Sequence, residues 1–210
     1  GLLGALRGGA DAEGLEKALR RALALEEAPA ARARLLADLA ALQDERLGDG
    51  PGAVVTLKRL LELAPSDRDA LARLDRLCVA GERWVELGDV LTREVAAARE
   101  AGDEAALVIL RHRLGELKEA RLHDREGAMA LYEEVLAARP DHADTLARLE
   151  AMVQKDPTNV RATHLLELAY GATGSHAQQA AALEMRAAER PDPLERKALW
   201  LQLADLREQA

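Results

Sequence analysis

Arg46-Leu-Gly-Asp-Gly-Pro-Gly-Ala53 returns 75 residues later as Arg121-Leu-His-Asp-Arg-Glu-Gly-Ala128. The match extends outward without a gap, residues 35–78 lying on 110–153. Within it Leu35, Leu39, Leu42, Arg46, Leu47, Asp49, Gly52, Ala53, Leu61, Pro65, Asp69 and Leu71-Ala-Arg-Leu74 all fall on identical residues. A period of this length decides architecture before any local motif does. Each copy carries an apolar stripe that it cannot bury alone, so neighbouring copies must stack.

Composition agrees with a helical stack. Hydrophobic residues make up 49% and charged residues 31%, whereas aromatic residues reach only 2% and Phe is absent. The apolar content is mostly Leu and Ala, which favour helix; residues that favour strands are scarce. Helix-period stripes run along the chain between short turn signals. They predict helices near 11–27, 30–47, 51–64, 67–80, 83–100, 103–122, 125–138, 142–154, 159–172, 175–190 and 193–208. Ser66 and Asp69, then Asp141 and Asp144, read as cap and returning acid after Pro65 and Pro140. Asp192-Pro193 starts the last helix, and Gly48, Gly81, Gly102, Gly171 and Gly174 sit where helices should end. Loops this short make consecutive helices antiparallel neighbours.

Ala128, Tyr132 and Pro140, and one copy earlier Ala53, Leu57 and Pro65, stand at the spacing of the second helix of a tetratricopeptide repeat. Leu165, Leu168, Ala169, Ala181, Met185, Ala188 and Pro193 resemble a third copy. The chain thus resembles a degenerate tetratricopeptide repeat protein, with Leu-rich text in place of the usual Trp-Leu-Gly-Tyr pattern. The related half-a-TPR repeat is similar over Tyr132–Pro140. The Ala/Leu/Arg/Glu style resembles large bacterial tetratricopeptide proteins of the myxobacterial kind. The resemblance implies an all-α superhelical solenoid of antiparallel helix pairs. The expectation is one repeat domain over residues 1–210, with units near 30–104 and 105–190 and partial units at both ends. Residues 196–210 resemble 32–46 without the partner helix that should follow, so the chain reads as a fragment of a longer protein. From Gly81 to Gly174 is 93 residues, 18 more than the period. This reads as an added short helix near 142–157 and a local change of curvature.

A net charge of −8 argues against a phosphate-binding surface, so no nucleic acid is expected. No apolar stretch approaches the roughly 20 residues that span a bilayer, and Gly1–Arg7 is too short for a signal peptide. The one cysteine excludes an internal disulfide and leaves the compartment open, a cytoplasmic one being expected over a periplasmic one. Cys78 lies on an apolar stripe and reads as a buried, inert thiol. Trp84 and Trp200 read as packing residues.

Among chemical candidates, His112, Glu116, Glu119 and His123 share one helix face if the helix reaches His123. Such ligands suit zinc or iron, but no second helix supplies more of them, and a solvated face explains the same spacing. His142 beside Asp141 and Asp144 reads as part of a helix start. No phosphate loop or nucleophile elbow is present, so no enzyme activity and no cofactor or metal are expected. The tetratricopeptide resemblance implies a partner peptide or helix held on a concave face lined by the first helix of each pair. The candidate groove residues are Arg34, Asp38, Arg73, Arg76, Arg113, Glu116, Gln202 and Asp205. Arginine can fork onto a partner carboxylate, and the mixed charge suits selection of a protein. The alternative is a regulatory or sensor domain of a larger enzyme or signalling protein.

Overall fold

The computed structural model describes residues 12–189 and 192–209. Among them every regular element is an α-helix: α1 Ala12–Leu25, α2 Pro29–Glu45, α3 Gly50–Leu63, α4 Arg68–Ala80, α5 Trp84–Glu100, α6 Glu104–Ala120, α7 Arg125–Ala138, α8 Ala143–Lys155, α9 Val160–Ala172, α10 His176–Glu189 and α11 Pro193–Gln209. Gly1–Arg7 lies outside the described residues. The chain forms two compact units, the first ending at Gly102 and the second beginning at Asp103.

The period is visible in the helices themselves. α2, α3 and α4 recur as α6, α7 and α8, displaced by 75 residues at both ends of every helix. The position answering Gly81 is therefore Asp156, the residue that closes α8. No short helix has been added near 142–157, because Gly174 closes α9 and answers Gly102, not Gly81. What differs is length: α5 has 17 residues and α9 has 13.

In the first unit α2 packs on α3, α4 on α5, and α3 on α4. Leu36, Leu39, Ala53, Leu57, Leu61, Leu71 and Leu74 are buried there. Cys78 is buried as well, and burial raises its thiol pKa, which keeps it protonated and inert. Gln43 is the large polar exception, only 1% exposed. Its amide donates to Glu16 and its carbonyl accepts from Thr56, so both ends are satisfied.

In the second unit α6 packs on α7, α9 on α10, and α10 on α11, with α8 against α9. One apolar cluster joins Ala128, Met129, Tyr132 and Leu136 of α7, Leu149 and Val153 of α8, five residues of α9, and Ala182 of α10. A second joins Leu183 and Ala187 of α10 to Leu199 and Leu203 of α11. Ala53 and Ala128 are fully buried, as close helix contact requires of the small residue. The third copy departs from its expected register. Leu165 and Ala169 are buried, but Leu168 is exposed, and α10 buries Ala182, Leu183 and Ala187 where the sequence pointed to Ala181 and Ala188. Trp200 is 46% exposed, lying off the Leu199–Leu203 stripe, and is not a core packing residue.

Caps sit one residue later than the cap pattern suggested. Asp67, not Ser66, accepts from the Ala70 amide, and His142, not Asp141, accepts from the Thr145 amide. Asp192 does accept from Leu194 N–H at the start of α11. Asp49 and Asp124 cap α3 and α7 through Gly52 and Gly127. With the capping carboxylates where they stand, a Cβ at Gly52 or Gly127 would fall 2.0 or 2.2 Å from them. Gly48, Gly102 and Gly174 take left-handed φ, whereas Gly81 does not; there the following Glu82 does, at φ 52°. Gly171 lies within α9, not after it.

Candidate functional site

In the second unit α6 and α8 wall a cleft of ≈ 570 Å³, lined by Ile109, His112, Arg113, Glu116, His142, Asp144, Ala147, Arg148 and Ala151. The spacing explains the lining. Ile109, Arg113 and Glu116 form one stripe of α6; Asp144, Ala147 and Ala151 form one stripe of α8. Alanine gives the cleft a low floor, and Ile109, 61% exposed, gives it an apolar rim.

The first copy carries different residues at most of these positions. Ala151 answers Arg76 there, whose guanidinium reaches across to Asp44, while Arg73 pairs with Glu45 at 2.6 Å. In the second copy Arg148 keeps the Arg73 role, pairing with Glu119 at 2.7 Å. Glu119 also accepts from the buried Tyr132 hydroxyl at 3.1 Å, and burial with the adjacent carboxylate pushes the tyrosine pKa upward.

At the α8 end the cleft is closed by a hydrogen-bonded trio. Thr145 is fully buried. Its hydroxyl lies 2.9 Å from Nδ1 of both His112 and His142, and its amide lies 3.3 Å from His142 Nδ1. The two imidazole rings are 5.0 Å apart, and His112 also stands 6.0 Å from the Tyr132 ring. His112 Nε2 faces Glu116 at 3.6 Å. The His112 pKa is held below its ordinary value chiefly by burial, against the pull of Glu116. The corresponding residues in the first copy are Ala37, Asp67 and Ala70, which form no such trio.

The structure disperses the eight residues marked from sequence. Arg113 and Glu116 come together in the cleft. Arg34 and Asp38 are exposed on α2, and Asp38 lies beside Leu15, Leu19, Ala41 and Arg46 in a smaller recess of the first unit. Arg73 and Arg76 on α4 are tied to Glu45 and Asp44, and Gln202 and Asp205 are exposed on α11. Nor does His112–Glu116–Glu119–His123 form one solvated face. α6 stops at Ala120, and His123 takes the left-handed place of Gly48, at φ 56°. Glu119 is engaged by Tyr132 and Arg148, and His112 is turned toward Thr145. Among the described residues no group of three or more His, Cys, Asp or Glu is arranged to hold a metal ion. Sequence reasoning missed Thr145, Ala147 and Ala151, and placed His142 only at a helix start, where it does cap α8. Comparing the copies position by position was the signal that could have found them.

No family model matches the chain. No curated protein matches it. Among solved structures it resembles one described as the crystal structure of MamA, at 17% identity over 93% of this chain and 94% of that one, with a TM-score of 0.42. Each unit is an α-solenoid of helices packed in successive pairs. That assignment rests on the helices and their pairing in this chain. No helix among the described residues is long and apolar enough to cross a membrane.

Proposed function

We propose that the chain is a non-enzymatic protein–protein interaction scaffold, one repeat domain that holds a peptide or helix of a partner in the cleft between α6 and α8. The observation carrying this reading is the cleft of ≈ 570 Å³ between α6 and α8, floored by Ala147 and Ala151, the latter standing where the first copy has Arg76. That volume suits a bound ligand, and an apolar floor bordered by Ile109 and charged side chains suits a peptide side chain. Arg113 and Glu116 on one wall and Asp144 on the other give a mixed-charge rim, which favours selection by charge pattern over a uniform anion site. No nucleic acid is proposed as a partner.

The test is affinity capture from the native host with the wild-type chain and with Ala151→Arg. Arginine is already accommodated at the corresponding position 76, so the variant should fold. A partner of this cleft should be retained by the wild type and lost by the variant by at least about tenfold, since one buried contact at an interface centre is worth 1.4 kcal/mol or more. Equal recovery of every captured protein by the two chains would exclude the cleft.

A further inference from the structure

The Thr145 hydroxyl carries one proton and stands between two imidazole nitrogens, each 2.9 Å away. The Thr145 amide points at His142 Nδ1, so that nitrogen must present its lone pair. One arrangement then satisfies all the contacts. His112 Nδ1–H donates to Thr145 Oγ1, Thr145 O–H donates to His142 Nδ1, and His142 Nδ1 also accepts from the Thr145 amide. Both imidazoles are neutral in it. The trio ties α6 to α8 and caps α8 in the same stroke.

We propose that His112, Thr145 and His142 form an acid-sensitive latch between α6 and α8, closed when both imidazoles are neutral and opened when His142 takes a proton on Nδ1. Protonation there removes the acceptor of two hydrogen bonds and uncaps the helix. Protonating His112 as well sets a second positive charge beside the first, with ring centres 5.0 Å apart. The surrounding charges do not cancel this. Glu116 on α6 and Asp144 on α8 favour the charged imidazole, while burial, His142 and Arg148 disfavour it. Arg113 lines the same cleft from α6, and Tyr132 of α7, facing His112, is held neutral with its pKa raised. The direction of pH dependence follows. For His112 the sign is defined: because its folded pKa lies below its ordinary value of 6.5, the neutral ring contributes fully above that value and loses its contribution as pH falls below it. The first copy lacks this response, having Asp67 as its cap and alanine at 37 and 70.

The latch regulates the cleft only if the cleft docks a partner, so its functional meaning rests on the reading given above. Its existence is tested without one. Amide hydrogen exchange read by NMR on the full chain compares Thr145, capped by His142, with Ala70, capped by Asp67, at about pH 7.5 and about pH 5, after correction for intrinsic rates. Thr145 protection should fall by about tenfold or more relative to Ala70 on acidification, and His142→Asp should abolish that fall. Parallel behaviour of the two amides in the wild type, or an undiminished fall in His142→Asp, would overturn the proposal. Neither outcome depends on whether Ala151→Arg loses a captured partner.

Discussion

Gly115→Ala should destabilise the chain by about 1–3 kcal/mol, even though alanine is the better helix former by about 1 kcal/mol. A Cβ at this position would lie 2.6 Å from Tyr132 Cε1 and 3.1 Å from Cδ1. The ring has nowhere to go. Tyr132 is fully buried in the α7–α8–α9 cluster, and its hydroxyl is held by Glu119. The first copy solves the same contact with the sizes exchanged: Ala40 faces the space that Gly115 faces, and Leu57 stands in place of Tyr132. Both first-copy residues are 1% exposed, so that solution is also closely packed. Tyr132→Leu alone should cost about 1–3 kcal/mol through the void it leaves. The double variant, which reproduces the first-copy pair, should recover at least about 1 kcal/mol of the summed losses. Urea unfolding midpoints of the four proteins measure the cycle. Simple additivity would show that the two residues do not share a contact.

Leu149→Ala should cost about 2–5 kcal/mol. Leu149 is fully buried and belongs to the cluster that includes Ala128 and Tyr132 of α7 and Ala162 and Leu165 of α9. It therefore stitches one helix pair to the next. Since Leu→Ala slightly improves helix propensity, any loss reports packing between helices and not the helix itself. A solenoid owes its stability to such neighbour contacts, so truncation here should be among the most costly single changes in the second unit. A loss within about 0.5 kcal/mol, the range of ordinary surface changes, would mean that pair-to-pair burial is not what holds the unit together.

Much of this fold was legible because the apolar stripes are long and the loops short. All eleven helices were anticipated to within two residues at each end. The errors have local physical causes. α2 and α6 stop two residues early because Gly48 and His123 turn left-handed, and a histidine in that role gives no sequence warning. The supposed extra helix came from matching two glycines by type, when the residue closing α8 is Asp156. The caps moved by one residue because Ser66 and Asp141 follow proline in the turn, leaving Asp67 and His142 beside the helix amides. The site was less legible. Arg113 and Glu116 were found from their place off the apolar stripe, but a residue that forms a cleft by being small, such as Ala151, has no chemical signal. It stands out only beside Arg76, the residue at the same position one copy earlier. The His112–Thr145–His142 trio joins residues 33 and 30 apart in sequence, a juxtaposition that depends on how α6 and α8 lie together.

The α6/α8 cleft as a partner-binding groove is the claim on which the functional reading turns. Site-specific photo-crosslinking tests it most directly, with the reactive side chain placed singly at Ile109 and Ala147 in the cleft and at the exposed Ala130 and Ala137 of α7. Expressed in the native host, the chain should give a discrete crosslinked species from the two cleft positions and not from the α7 positions. That species should disappear when Ala151→Arg is introduced. Equal crosslinking from both sets, or a discrete species from α7 alone, would contradict the account.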